Sequence, residues 1–173
     1  MEIKKRIIES QFKKRDTKQF DMVGLAEASK ITVLYDFEER TDISWMEGAK
    51  QILYNETPAI LQFMGVYNGK RKTSIYKDYT NIICKDDFNW LLKPKKTFVK
   101  RFIGTDFDFL LNLCKELPPF FQFILSSSNA KLRVGRGGEM YRNYHDFMVN
   151  VDSSERLDIL KTMVDYLSMH NKK

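Results

Sequence analysis

Three glycines and two arginines stand together in the stretch "KLRVGRGGEMYRNYHDFMVNV", residues 131–151: Gly135, Gly137 and Gly138, with Arg133 and Arg136 interleaved. The chemistry such a cluster suggests is anion binding. A phosphate cradle needs successive backbone N–H groups converging on the anion, usually at the start of a helix whose dipole adds positive charge. The Walker pattern of nucleotide-binding loops is absent from the chain. The dinucleotide fingerprint is half present, since its third glycine is missing and the residues that follow read as a strand rather than a helix. The stretch is therefore expected to be strand, glycine-rich connection, strand. Arg133, Arg136, Gly137 and Gly138 remain candidates for anion contact only where the fold carries the loop to a ligand-binding rim.

His145-Asp146 is the one internal acid–histidine pair. Strand neighbours point to opposite faces, so these two cannot form the oriented base of a catalytic triad with each other. His145 is expected to be a partly exposed structural histidine and is kept as a ligand-binding candidate. No serine in a nucleophile elbow, no Cys-x-x-Cys and no paired histidines at metal-ligand spacing occur, so no catalytic residue, metal or cofactor is assigned. Carboxylates at strand ends carry more interest, because open α/β sheets bind ligands there. Asp36, Asp86, Asp87 and Asp152 follow strand-like segments and, if convergent, could hold Mg²⁺ through its waters. Asp152 is equally accounted for as a helix cap. Asp36 and Asp86 are retained as ligand-binding candidates.

Basic residues form a third group. Of the formal charge of +6, most lies in residues 1–20, where seven Lys or Arg face three Asp or Glu; the rest of the chain is close to neutral. Lys4, Lys5, Arg6, Lys13, Lys14 and Arg15 in this arm, with Lys95, Lys96 and Arg101 in the body segment "KPKKTFVKR", are the nucleic-acid candidates. Trp90, between an acidic and a basic run, could stack on bases, although "FNWLL" reads more simply as a loop plugged into the core.

The elements that must position these residues follow from pattern. At 173 residues, with 43% hydrophobic and 13% aromatic residues, the chain can bury a sizeable core. Cys84 and Cys114 sit in apolar runs and read as buried thiols of a cytoplasmic protein. No apolar run nears the ~20 residues of a transmembrane helix. Residues 1–28 are expected as a basic helical arm and 29–173 as a single α/β domain. "ITVLYDF" and "AILQFMGVY" are strands covered on both faces. Ser44 and Glu47 have capping-box spacing ahead of a helix that Pro58 ends. Asn68-Gly69 signals a hairpin returning through "TSIYKDY". A helix is expected from Pro94 to Gly104, a strand over 106–114, a short apolar helix after Pro118-Pro119, and a last helix capped by Asp152 and Glu155. This alternation predicts a three-layer αβα, Rossmann-like fold with a mostly parallel sheet of five or six strands.

"DDFNWLLKPK", "FDFLLNLC", "FILSSSNAKLRVGR" and "YHDFMVNV" resemble, in that order, blocks of a small uncharacterised bacterial α/β family of unknown function, over roughly residues 30–170. That resemblance implies a bacterial, cytoplasmic protein and supplies no activity. The run 107–113, the apolar helix after it and "AKLRVG" at 130–135 also look like part of the acceptor-side domain of heptosyltransferase-type glycosyltransferases. Those enzymes hold the nucleotide-sugar in a second domain, so this likeness implies fold and not transfer chemistry. The expected function is a non-enzymatic binding or accessory domain, its partner a protein or an anionic surface. The alternatives are a nucleotide- or sugar-nucleotide-related enzyme or its remnant, and an RNA- or ribosome-associated protein using the arm.

Overall fold

The computed structural model of the chain describes residues 1–16, 23–38, 44–71 and 81–169. Among the described residues six strands form one sheet: β1 (Lys30–Asp36), β2 (Ile60–Tyr67), β3 (Ile82–Cys84), β4 (Phe109–Asn112), β5 (Leu132–Arg136) and β6 (Phe147–Val149). Their spatial order is β3-β2-β1-β4-β5-β6, and every pairing is parallel. Five α-helices accompany them among the described residues: α1 (Glu2–Asp16), α2 (Trp45–Tyr54), α3 (Thr97–Ile103), α4 (Pro119–Ser127) and α5 (Arg156–Met169). None is long and apolar enough to cross a membrane.

The central strands are apolar on both faces because both are covered. In β1, Leu34 joins a core with Ile8, Phe102, Phe121 and Ile124, from α1, α3 and α4. Ile31 and Val33 join Ala49, Leu53, Ile159 and Met163, from α2 and α5. The alternation along one strand thus feeds two cores, as a doubly wound α/β fold requires. The Rossmann-like three-layer expectation holds.

Several local expectations change. Residues 73–79, expected to pair back as a hairpin, lie outside the described residues. The strand that follows, β3, runs parallel to β2, so no tight hairpin joins those two. Ser44 sits in helical backbone and its side chain makes no capping bond, while Glu47 turns to Lys50 at 3.2 Å. Pro94 is held opposite Phe88 in an isolated antiparallel bridge, and α3 begins only at Thr97. α5 begins only at Arg156, too far along for Asp152 to cap it; ahead of it the Ser153 hydroxyl accepts the Glu155 N–H at 3.0 Å and donates to Asp158 at 2.7 Å.

The glycine cluster is a parallel crossover. β5 and β6 lie side by side in parallel, joined by only ten residues that include a 3-10 turn at Glu139–Tyr141. Gly138 enters that turn at φ +139°, which a side chain would disfavour. Gly135 lies under the His145 ring, in space that any Cβ would claim.

Candidate functional site at the carboxyl edge of the sheet

In this strand order the chain leaves β1 towards β2 and β3, then returns to build β4, β5 and β6 on the other side. The reversal falls between β1 and β4, and a crevice opens outside their carboxyl ends, where such sheets bind ligands. Asp36 ends β1 there, and its Oδ2 accepts the Lys115 backbone N–H at 2.7 Å. Arg156, the first residue of α5, donates from Nη2 to the Asp36 carbonyl at 2.9 Å and lies over the Trp45 ring, 5.5 Å from its centre. Asp36, Tyr67, Lys115, Glu116 and Arg156 line a cavity of about 290 Å³. Tyr141 donates its hydroxyl to the Lys115 carbonyl at 2.6 Å.

Burial pushes the Asp36 carboxyl above its usual range, against the pull of the Lys115 N–H and the Arg156 charge. Burial also lifts the Cys114 thiol far above its ordinary value, and the Asp36 carboxylate beside it adds to the effect. Cys114 is thus held as a neutral thiol, the opposite of the thiolate a nucleophile needs.

A second cavity, of about 560 Å³, opens beside the first and shares Asn68 and Pro118 with it. Asp86, just past the end of β3, lines it together with Lys85, Phe88, Trp90, Lys95 and Phe120. The Asp86 carboxylate accepts the Arg71 backbone N–H at 3.0 Å. Asp87 is buried; its Oδ2 accepts from Arg71 Nη2 and from the Cys84 backbone N–H, both at 2.8 Å. Among the described residues, no three of the His, Cys, Asp and Glu side chains gather as a metal-ligand set.

Asp36 and Asp86 therefore share one edge, in adjoining cavities. Arg136, Gly137 and Gly138 leave the sheet at the same edge, two strands beyond the switch point, with Arg136 Nη2 donating to the Ser153 carbonyl at 3.4 Å. Arg133 is a correction to the anion-contact expectation. It is fully buried: its guanidinium grips both Asp146 oxygens, at 3.0 and 2.7 Å, and donates to the Leu125 carbonyl at 3.0 Å. His145 is also buried rather than partly exposed, and lines neither cavity. Its Nε2 accepts from Asn112 Nδ2 at 3.0 Å, which puts the ring proton on Nδ1. Nδ1 finds no well-formed hydrogen bond, although the Tyr141 backbone acts weakly on the ring.

The basic candidates divide. Lys4 reaches the second cavity along with Lys95. Lys4, Lys5 and Lys13 line a separate groove where α1 meets α4, Arg6 lies on the outer side of α1, and Lys14 is exposed. Lys96 and Arg101 are exposed at the start and within α3, and the Arg15 side chain lies outside the description. Sequence reasoning did not single out Lys115, Glu116 or Arg156. The first two come three and four residues after β4, so a strand-end rule widened by a few residues would have found them. Arg156 comes from a helix start 120 residues from Asp36 and carries no local signal.

A six-stranded parallel sheet, helices on both faces and a crevice at its switch point define a doubly wound α/β protein with the ligand edge of that class. The chain itself belongs to a family of unknown function, DUF6913, matched over residues 2–169. No curated protein and no solved structure matches it.

Proposed function

We propose that the protein is a binding domain for a small polar ligand, taken up at the carboxyl edge of the sheet in the crevice between β1 and β4. The observation that carries this reading is the cavity at the switch point, where Lys115, Glu116 and Arg156 meet Asp36 around a space of about 290 Å³. The other conspicuous polar groups serve the fold. Arg133 and Asp146 satisfy each other, Asp87 fixes the end of β3, and Cys114 is held as a thiol. A second reading, a nucleotide- or sugar-nucleotide-related enzyme, draws on Asp36: a carboxyl raised by burial beside an arginine in a cleft is a candidate general acid.

Thermal shift against nucleotides, nucleotide-sugars and sugar phosphates, with and without Mg²⁺, tests the binding reading. A ligand at a hundred times its Kd stabilises by about 2.7 kcal/mol, enough for a readable rise. Lys115→Glu should abolish that rise and leave the free protein's midpoint unchanged, because only the backbone of Lys115 holds Asp36. A flat panel would refute the reading.

A further inference from the structure

We propose that the second cavity binds a small aromatic anion, a planar ring bearing phosphate or carboxylate, with the ring stacked on Trp90 and the charge met by lysines. This goes beyond the binding reading, because the site is the neighbouring cavity and not the one at the switch point. Trp90 is 68% exposed although its neighbours Phe88 and Leu92 are buried. The loop expected to plug into the core does so through those two residues and holds the indole out.

The loop is pinned along its length. Asn89 Oδ1 accepts the N–H groups of Leu91 and Lys93, each at 2.9 Å. Phe88 and Pro94 are bridged, and Leu92, at φ +60°, turns its side chain into the core. A backbone held in this way keeps Trp90 at the cavity, so little main-chain entropy is lost when a ring stacks on it. The floor beneath is apolar, with Phe88 and Phe120 at 5.6 Å between ring centres.

Charge selects the rest of the ligand. Lys4, Lys70, Lys85 and Lys95 surround the space, against Asp86 alone. The start of α4 faces the same cavity, but Pro118 and Pro119 carry no N–H to offer an anion. Counter-charge therefore comes from lysine side chains contributed by four separate stretches of the chain. At about 560 Å³ the cavity matches a small-molecule site in size.

The test uses the full chain carrying Trp45→Phe, which leaves Trp90 as its single tryptophan. Its fluorescence is titrated with adenosine 5′-diphosphate, nicotinate, adenosine, pyrophosphate and a uridine oligonucleotide. Saturable quenching by either aromatic anion is expected, at least tenfold tighter than by adenosine or pyrophosphate; which of the two binds tells phosphate from carboxylate. In calorimetry, Trp90→Ala should weaken that binding roughly tenfold or more, the loss of one stacked ring. Lys85→Glu should weaken it comparably. Trp90 and Lys85 are both exposed, so neither change should harm folding.

No quenching at millimolar concentration overturns the proposal, as does a response to the oligonucleotide without one to a mononucleotide. A ligand whose binding needs Lys115 but survives Trp90→Ala also overturns it, while leaving the binding domain standing. Failure of every compound in both assays overturns the two together.

Discussion

His145 shows how the fold sets a side chain's charge by its surroundings. Burial, and then the buried Arg133 charge, hold its pKa down to about 4. The ordinary value is about 6.5, so the fold favours the neutral ring. Stability is therefore complete above about pH 6.5 and drains as pH falls towards 4, by about 3 kcal/mol in all. Asp36 has the opposite sign: its raised carboxyl takes up a proton more readily in the fold, which adds stability as pH falls through its folded pKa. Urea unfolding at pH 7 and pH 4 should show a smaller acid loss for His145→Gln than for the parent, and equal losses would refute the assignment. Residue types in this region were legible from sequence, but their partners were not. Arg133 beside two glycines resembles an anion contact until Asp146, thirteen residues on, closes on it.

Among the elements, α1 forms within the arm where a helix was expected. The basic helical arm expected there packs on the domain: Ile8 is buried against the α4 side of the sheet, and Phe12 lies 5.6 Å beneath the Arg133 guanidinium. One buried isoleucine and a cation–π contact hold the helix to the domain. Ile8→Ala should cost about 2 kcal/mol, the low end for an isoleucine truncation because the site lies at the margin of the core. In a chain of this size that lowers the thermal midpoint by about 4–8 °C. An unchanged midpoint by calorimetry would mean that α1 is held otherwise. Strands were easier to read than helix starts. Apolar runs such as "ITVLYDF" identify buried strands whatever covers them, whereas capping depends on where the chain turns. That is why the caps expected at Ser44 and Asp152 fail while the helices themselves form.

Across the whole molecule, alternation of strands and helices was enough to predict the three-layer fold, and the strand-end rule was enough to place Asp36 and Asp86 on one edge. The order of the strands was not readable, because pairing across the sheet depends on residues far apart, such as Leu34 with Asn112. Without that order the switch point, and hence the crevice, stays hidden. The sheet also carries a consequence for how the chain is made. One of its two faces is sealed by α5, whose Ile159, Leu160, Met163 and Val164 cover apolar residues of β1, β4 and β5. These residues are synthesised after all six strands, so only α2 shelters that side of the sheet until residue 169 has cleared the ribosome. A protein ending at residue 155 should consequently collect as aggregate or chaperone-bound material, and adding a separate peptide of residues 156–169 during refolding should return it to the soluble fraction. Recovery of soluble, cooperatively melting protein without the peptide would show that α2 alone can shelter that side.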